Sequence, residues 1–276
     1  MATDKGYSEV AWETVQIARH QGRPQTLDYV VGALPDFLEL SGDRLRADDK
    51  AVVGGIGTLG KQRVVLIGHM KGRTLNERQE RNFGMTRPEG YRKAMRLAKL
   101  AEKFGFPVVT LVDTPGAYPG KDAEEGGQAS AIARSIEVFA CLKVPTVTVI
   151  IGEGGSGGAL ALAVADRVVM LENSWYSVIS PEACASIVWR DSAEAARAAA
   201  SLRLTAKDLS ELGLVDVVVP EPAEGAHTDT RVTVKRVMHE VQLALRDLKR
   251  LDTEKLLRQR QEKYLNMGAY VIAKSK

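Results

Sequence analysis

The sequence predicts an α/β protein whose central sheet is largely parallel. Three observations carry this. Residues 107–113 (PVVTLVD) and 144–151 (VPTVTVII) are runs rich in β-branched residues, the pattern of strands buried on both faces. Each run ends in a glycine-bearing loop, TPGAYPG at 114–120 and GEGGSGG at 152–158. Each loop leads into a segment of helical character, so strand, loop and helix alternate as in crossover connections.

The elements follow in chain order. Residues 1–40 are polar with scattered apolar positions and read as one or two helices, interrupted at Gly22 and Pro24. Residues 51–59 and 63–69 read as two strands joined by a hairpin turn at 60–62. Residues 88–104 have a helical period that places Tyr91, Met95, Ala98, Ala101 and Phe104 on one face, with Pro88 at the start and Gly105 as the stop. After the 107–113 strand, a helix is expected near 123–142, with Ile132, Ile136, Phe139 and Leu142 on its stripe. After the 144–151 strand come a short small-residue helix (159–165), a strand at 167–172 and a helix within 181–190. A charged helical tail runs from about 230 to 264. One unit over 1–276 is the simplest organisation, with a core at about 42–220 and helical ends.

Composition narrows the function class. In 276 residues the apolar share is 45% and the charged share 26%, as in an ordinary globular protein. A net charge of +3 is too small to imply nucleic-acid binding. No apolar stretch is long enough to span a membrane, and residues 1–15 contain no apolar signal core. Two cysteines, Cys141 and Cys184, cannot make a four-cysteine zinc ribbon. Their scarcity fits a reducing cytosol, so a cytoplasmic location is expected.

The chemistry must lie in the glycine loops. Residues 152–158 formally fit G-x-G-x-x-G, and Glu172 lies twenty residues after Gly152, where a dinucleotide fold places a ribose-binding acid. Only residues 159–166 then separate the loop from the next strand, which is short for a crossover helix, and a dinucleotide site leaves the 114–120 loop unexplained. The loop lacks the Gly-Lys-Ser/Thr ending of a P-loop. Ser156 raises a serine hydrolase, but the loop reads GxGGSGG rather than GxSxG, and no His–Asp pair is evident. Of His20, His69, His227 and His239, only His69, at a strand end near a basic loop, merits a test. The remaining physics is an oxyanion hole. A glycine loop entering a helix presents free N–H groups at the positive end of the helix dipole. Tight packing alone is the competing explanation for so many glycines.

Seven segments together resemble a known family: GDRLRADDKAVVGGIG (42–57), IGHMKGR (67–73), TRPEGYRKA (86–94), DTPGAYPG (113–120), AEEGGQASAIA (123–133), VIIGEGGSGGALA (149–161) and YSVISPEACASI (176–187). They look like the carboxyltransferase α subunit of bacterial acetyl-CoA carboxylase, over about residues 11–225. The resemblance implies a crotonase-like fold of stacked ββα units with helical ends. It implies transfer of a carboxyl group from carboxybiotin, carried on a separate biotin carboxyl carrier protein, to acetyl-CoA, giving malonyl-CoA for fatty acid synthesis. It further implies a β subunit bearing the zinc ribbon, an α2β2 assembly, and a separate biotin carboxylase that consumes the ATP. No covalently bound cofactor and no metal are expected on this chain.

By match to the family motif, the backbone N–H groups of Gly157 and Gly158 are expected to form an oxyanion hole. Gly116, Ala117, Gly154 and Gly155 are expected to shape the substrate cavity. Residues 71–99 hold nine basic side chains against three acidic ones, a local +6 suited to CoA phosphates or a carboxylate. Lys71 and Arg73, just past a strand, are the candidate carboxylate binders. A stand-alone acyl-CoA hydratase or thioesterase of the same fold, and a non-catalytic scaffold, are the competing functions.

Overall fold

A computed structural model describes residues 2–268. The strands among them are β1 (Leu38–Glu39), β2 (Val52–Leu59), β3 (Gln62–His69), β4 (Val108–Thr114), β5 (Thr146–Gly155), β6 (Arg167–Leu171), β7 (Trp175–Ser177) and β8 (Val217–Val219). The α-helices are α1 (Ala2–Ala18), α2 (Thr26–Ala33), α3 (Leu75–Glu80), α4 (Pro88–Phe104), α5 (Lys121–Glu125), α6 (Gln128–Cys141), α7 (Ser156–Ala163), α8 (Pro181–Trp189), α9 (Ala195–Leu202), α10 (Ala206–Glu211), α11 (Thr230–Leu248) and α12 (Thr253–Leu265). Met1 and residues 269–276, part of the expected 1–276 unit, lie outside the described residues.

The sheet runs in the order β1-β2-β3-β4-β5-β6-β8. β2 and β3 form the expected antiparallel hairpin, turning at Gly60 with φ +64. From β3 to β8 every pairing on this path is parallel. β5 is long enough to do two jobs. Its first half pairs with β6, while its last three residues pair with β7.

Alternate residues feed two cores, as the period of a strand requires. Val65 and Ile67 face α4, α6 and α7 with Leu97, Phe139 and Leu162. Val64 and Leu66 face the other side with Val237, Val241 and Leu245 of α11 and Tyr29 of α2. The charged tail is therefore a covering layer of the sheet. Its polar face is all that composition reveals, because its apolar stripe is narrow.

Several boundaries differ from the sequence reading. The helix expected near 123–142 breaks at Gly126–Gly127, where Gly127 takes φ +82 and caps α6. Glu124 and Glu125 belong to the separate short helix α5, with Glu124 in its first turn. The buried face of α4 is rotated slightly: Tyr91, Ala94, Leu97, Ala98 and Ala101 are buried, whereas Phe104 is exposed. Gly105 ends α4 in the left-handed conformation, as expected. The tail divides at Asp252, whose carboxylate accepts the Lys255 N–H and starts α12. α12 is locked by the buried Arg260. It pairs with Asp166 at 2.7 Å and donates to the carbonyls of Phe139, Leu142 and Val144. Among the described residues no helix is long and apolar enough to cross a membrane.

Candidate active site

The two glycine loops meet at the C-terminal ends of β4 and β5. Apolar β-branched residues hold these strands in register from Val108/Thr146 to Val112/Ile150. Thr114 then pairs with Gly154, so two steps along β4 span four along β5. Such a bulge re-aims the chain beyond it. β5 ends at Gly155, Ser156 takes φ +52, and α7 begins at once.

Glycine is required at this junction for a specific reason. A Cβ on Gly158 would lie 2.6 Å from the Ala117 nitrogen and 2.5 Å from the Gly116 carbonyl carbon. A Cβ on Gly155 would strike the Pro115 carbonyl. The backbone of one loop thus lies directly on the other. The N–H groups of Gly157 and Gly158 sit in the first turn of α7, ahead of its first i→i−4 bond, and are free for a ligand. Beside them, Ser156, Gly157, Leu160, Tyr176, Val178 and Leu214 line part of an apolar cavity of about 340 Å³.

The predicted residues divide into two sets. Gly157, Gly158, Gly116 and Ala117 come together. Gly154 and Gly155 do not line the opening: they are the buried last rungs of β5, pressed against Tyr176 and Pro115. Gly154 packs against Tyr176 of β7 and Gly155 against Pro115 of the facing loop.

Lys71 and Arg73 also have other partners. The Lys71 side chain is 14% exposed, and its ammonium lies 2.6 Å from Asp113 and 2.7 Å from Glu153. Burial works against its charge, but these two carboxylates hold its pKa above the ordinary lysine value. Arg73 pairs with Asp28 at 2.7 Å. The expected carboxylate-binding role meets charges already neutralised within the protein. The same holds for much of the +6 stretch. Arg87 pairs with Asp122, Arg92 with Asp43 and Glu89, and Lys93 with Asp48, while Arg96 donates to the carbonyls of Leu40 and Gly42. A local charge count cannot see acids that tertiary structure brings from elsewhere in the chain.

Sequence reasoning treats Glu153 only as a loop residue, and the structure gives it a larger part. It is buried, and although burial opposes ionisation, Lys71 and Arg19 hold its pKa below the usual carboxylate value. Arg19 reaches Glu153 at 2.7 Å and Glu182, in the first turn of α8, at 2.5 Å. The signal available was a lone acid among five glycines.

Residues 154–158 also read Gly-Gly-Ser-Gly-Gly, which does fit G-x-S-x-G, and the strand–Ser–helix bend is that of a nucleophile elbow. The base is what is missing. His20 and His227 stack on each other at 3.7 Å, and His69 is buried beside the Asp113 N–H. Among the described residues no histidine hydrogen-bonds Ser156. Burial, reinforced by Lys71, pushes the His69 pKa down to about 3, so its imidazole is neutral.

The family model for acetyl co-enzyme A carboxylase carboxyltransferase-like proteins matches residues 2–268. The chain belongs to this family. It is 56% identical over 259 residues to the acetyl-coenzyme A carboxylase carboxyl transferase subunit alpha of Thermus thermophilus, covering 94% of this chain and 82% of the relative. The subunit alpha of Aquifex aeolicus is 54% identical over 262 residues, covering 95% and 81%. Among solved structures, the Pseudomonas malonate decarboxylase hetero-dimer superposes with a TM-score of 0.65 at 17% identity, over 89% of this chain and 96% of that one. Transcarboxylase 12S superposes with a TM-score of 0.63 at 18% identity, over 92% of this chain and 44% of that one. The carboxyltransferase-like chain therefore has the crotonase-like carboxyltransferase fold expected from its motifs, and its family role is that of a carboxyltransferase α subunit.

Proposed function

We propose that the chain, joined to a β subunit that carries a zinc ribbon, transfers the carboxyl group of carboxybiotin to acetyl-CoA and so makes malonyl-CoA for fatty acid synthesis. The observation that carries this reading is the contact between Gly158 and the Gly116–Ala117 peptide at the start of α7. The two loops meet there at the N-terminus of α7, whose first N–H groups lack helical partners, and the transfer needs such donors more than it needs acids or bases. As the carboxyl leaves the biotin nitrogen, negative charge develops on the ureido oxygen. That nitrogen then takes a proton from the acetyl methyl group, and charge moves to the thioester oxygen. The resulting enolate carbon attacks carbon dioxide, forming the new carbon–carbon bond. Each oxyanion-hole donor is worth about 3–4 kcal/mol at such an oxygen. Gly157 and Gly158 are assigned to the thioester enolate, with Ala117 beside them. Gly116 supports the turn, with open space above it.

In this reading the assembly is an α2β2 heterotetramer in the cytoplasm. The biotin carboxyl carrier protein delivers the carboxyl group that biotin carboxylase has loaded. The test is co-purification with the zinc-ribbon partner, followed by carboxyl transfer from malonyl-CoA to biotin. Transfer by the complex and none by either chain alone is the expected result. Hydration of crotonyl-CoA or hydrolysis of acetyl-CoA by this chain alone would overturn the reading.

A further inference from the structure

We infer that Lys71 is a positioning residue that sets the spacing of the two oxyanion loops by tying together the carboxylates from which they spring. The inference rests on the carboxyl-transfer reading for its catalytic consequence, and on the geometry of the β4–β5 bulge for its physical basis.

Asp113 is the residue immediately before the 114–117 turn, and Glu153 is the residue immediately before the 154–158 junction. Both side chains are 7% exposed. They occupy the bulge, where one Asp113 oxygen accepts the Glu153 N–H at 2.9 Å. Gly152 leaves room for that carboxylate, since a Cβ there would overlap it. The Lys71 ammonium is shared between the two acids at 2.6 and 2.7 Å. One cation from just past the end of β3 thereby fixes the ends of β4 and β5 against each other.

Without that cation, two buried carboxylates would face each other, and like charges in a poorly solvated site repel strongly. The strand ends would separate, and Gly158 would draw away from Ala117. A misplacement of about 1 Å can cost about a hundredfold in rate. Other charged or titratable groups surround the bridge: Arg19 just past α1, Glu182 from α8, His69 from β3, and His20, Arg23 and Arg78, which line a small cavity beside Lys71. Arg19 holds the opposite oxygen of Glu153 and anchors it to α8, so it cannot also bridge Asp113. Lys71 acts through Asp113 and Glu153, which separates this role from direct substrate binding.

The experiment compares wild type with Lys71→Met in the complex with the zinc-ribbon partner, using malonyl-CoA and biotin as probes. It also follows amide hydrogen exchange of peptides spanning 112–118 and 152–160 in the full chain. We expect exchange to quicken at least tenfold in both peptides. We expect kcat to fall ten- to a hundredfold with KM for malonyl-CoA held within about twofold. Turnover should recover as pH is lowered and one carboxylate takes a proton. Lys71→Met/Glu153→Gln, which removes one of the two facing charges and so their repulsion, should recover part of the lost turnover and carries the test if the single variant fails to fold. Unchanged exchange in Lys71→Met, or a raised KM with kcat kept in whichever variant folds, would overturn the inference. Loss of transfer in the wild-type complex would instead overturn the carboxyl-transfer reading, and the exchange data would still decide the role of Lys71.

Discussion

Gly158 lies on the peptide between Gly116 and Ala117, with room for a hydrogen but none for a methyl group: an added Cβ would sit 2.6 Å from the Ala117 nitrogen. Gly158→Ala should force the two loops apart. Overpacking of this kind costs about 1–3 kcal/mol of stability. Turnover in the complex should fall about a hundredfold, the effect of losing one oxyanion-hole donor. Steady-state carboxyl transfer and a urea melt of the same preparation check both numbers. Full activity with a bulky side chain at 158 would remove this junction from the mechanism.

Arg260→Met should be among the most destabilising single changes in the molecule. It would leave Asp166 buried without its ion-pair partner and remove the guanidinium's bonds to the carbonyls of Phe139, Ala140, Leu142 and Val144. Breaking a buried pair from one side costs about 3–5 kcal/mol. Equilibrium unfolding in urea measures this. A loss below about 1 kcal/mol would show that α12 is dispensable for the core.

His69 should give the protein a definite acid sensitivity. Burial, with Lys71 nearby, holds its folded-state pKa at about 3, against 6.5 for the free side chain. Between these values the unfolded chain binds the extra proton, so stability declines as pH falls from about 6.5 toward 3. The His69→Gln variant lacks this contribution. Its unfolding free energy should fall less steeply with acid over that window. Parallel slopes for the two proteins would contradict the assignment.

Gly105 serves as a control away from the site. It ends α4 at φ +68 with open space around its α-carbon. Gly105→Ala should cost about 1 kcal/mol through backbone conformation alone and leave carboxyl transfer unchanged. A thermal melt beside the transfer assay separates the two effects.

The parallel core was legible because β-branched runs and glycine stops are local signals. Val108–Thr114 and Thr146–Gly155 announce themselves within a single window of sequence. β7 and β8 did not, since three-residue strands carry no period and exist only because β5 and β6 offer them free edges. The glycine junction at 154–158 was legible for the same local reason. The electrostatics were not: Asp113 lies 40 residues before Glu153, and Lys71 lies 82 before it. Counting charges along residues 71–99 records the cations and misses acids such as Asp28, Asp43 and Asp122 that neutralise them.

The separation of Arg260 from its partner has a consequence for biosynthesis. Asp166 waits for a guanidinium made 94 residues later, and one face of the sheet stays uncovered until α11 has been made. The core therefore cannot close while only the strands have left the ribosome. During that interval the nascent protein exposes an apolar sheet face and an unmatched acid, the kind of surface that chaperones hold and that aggregates when they do not.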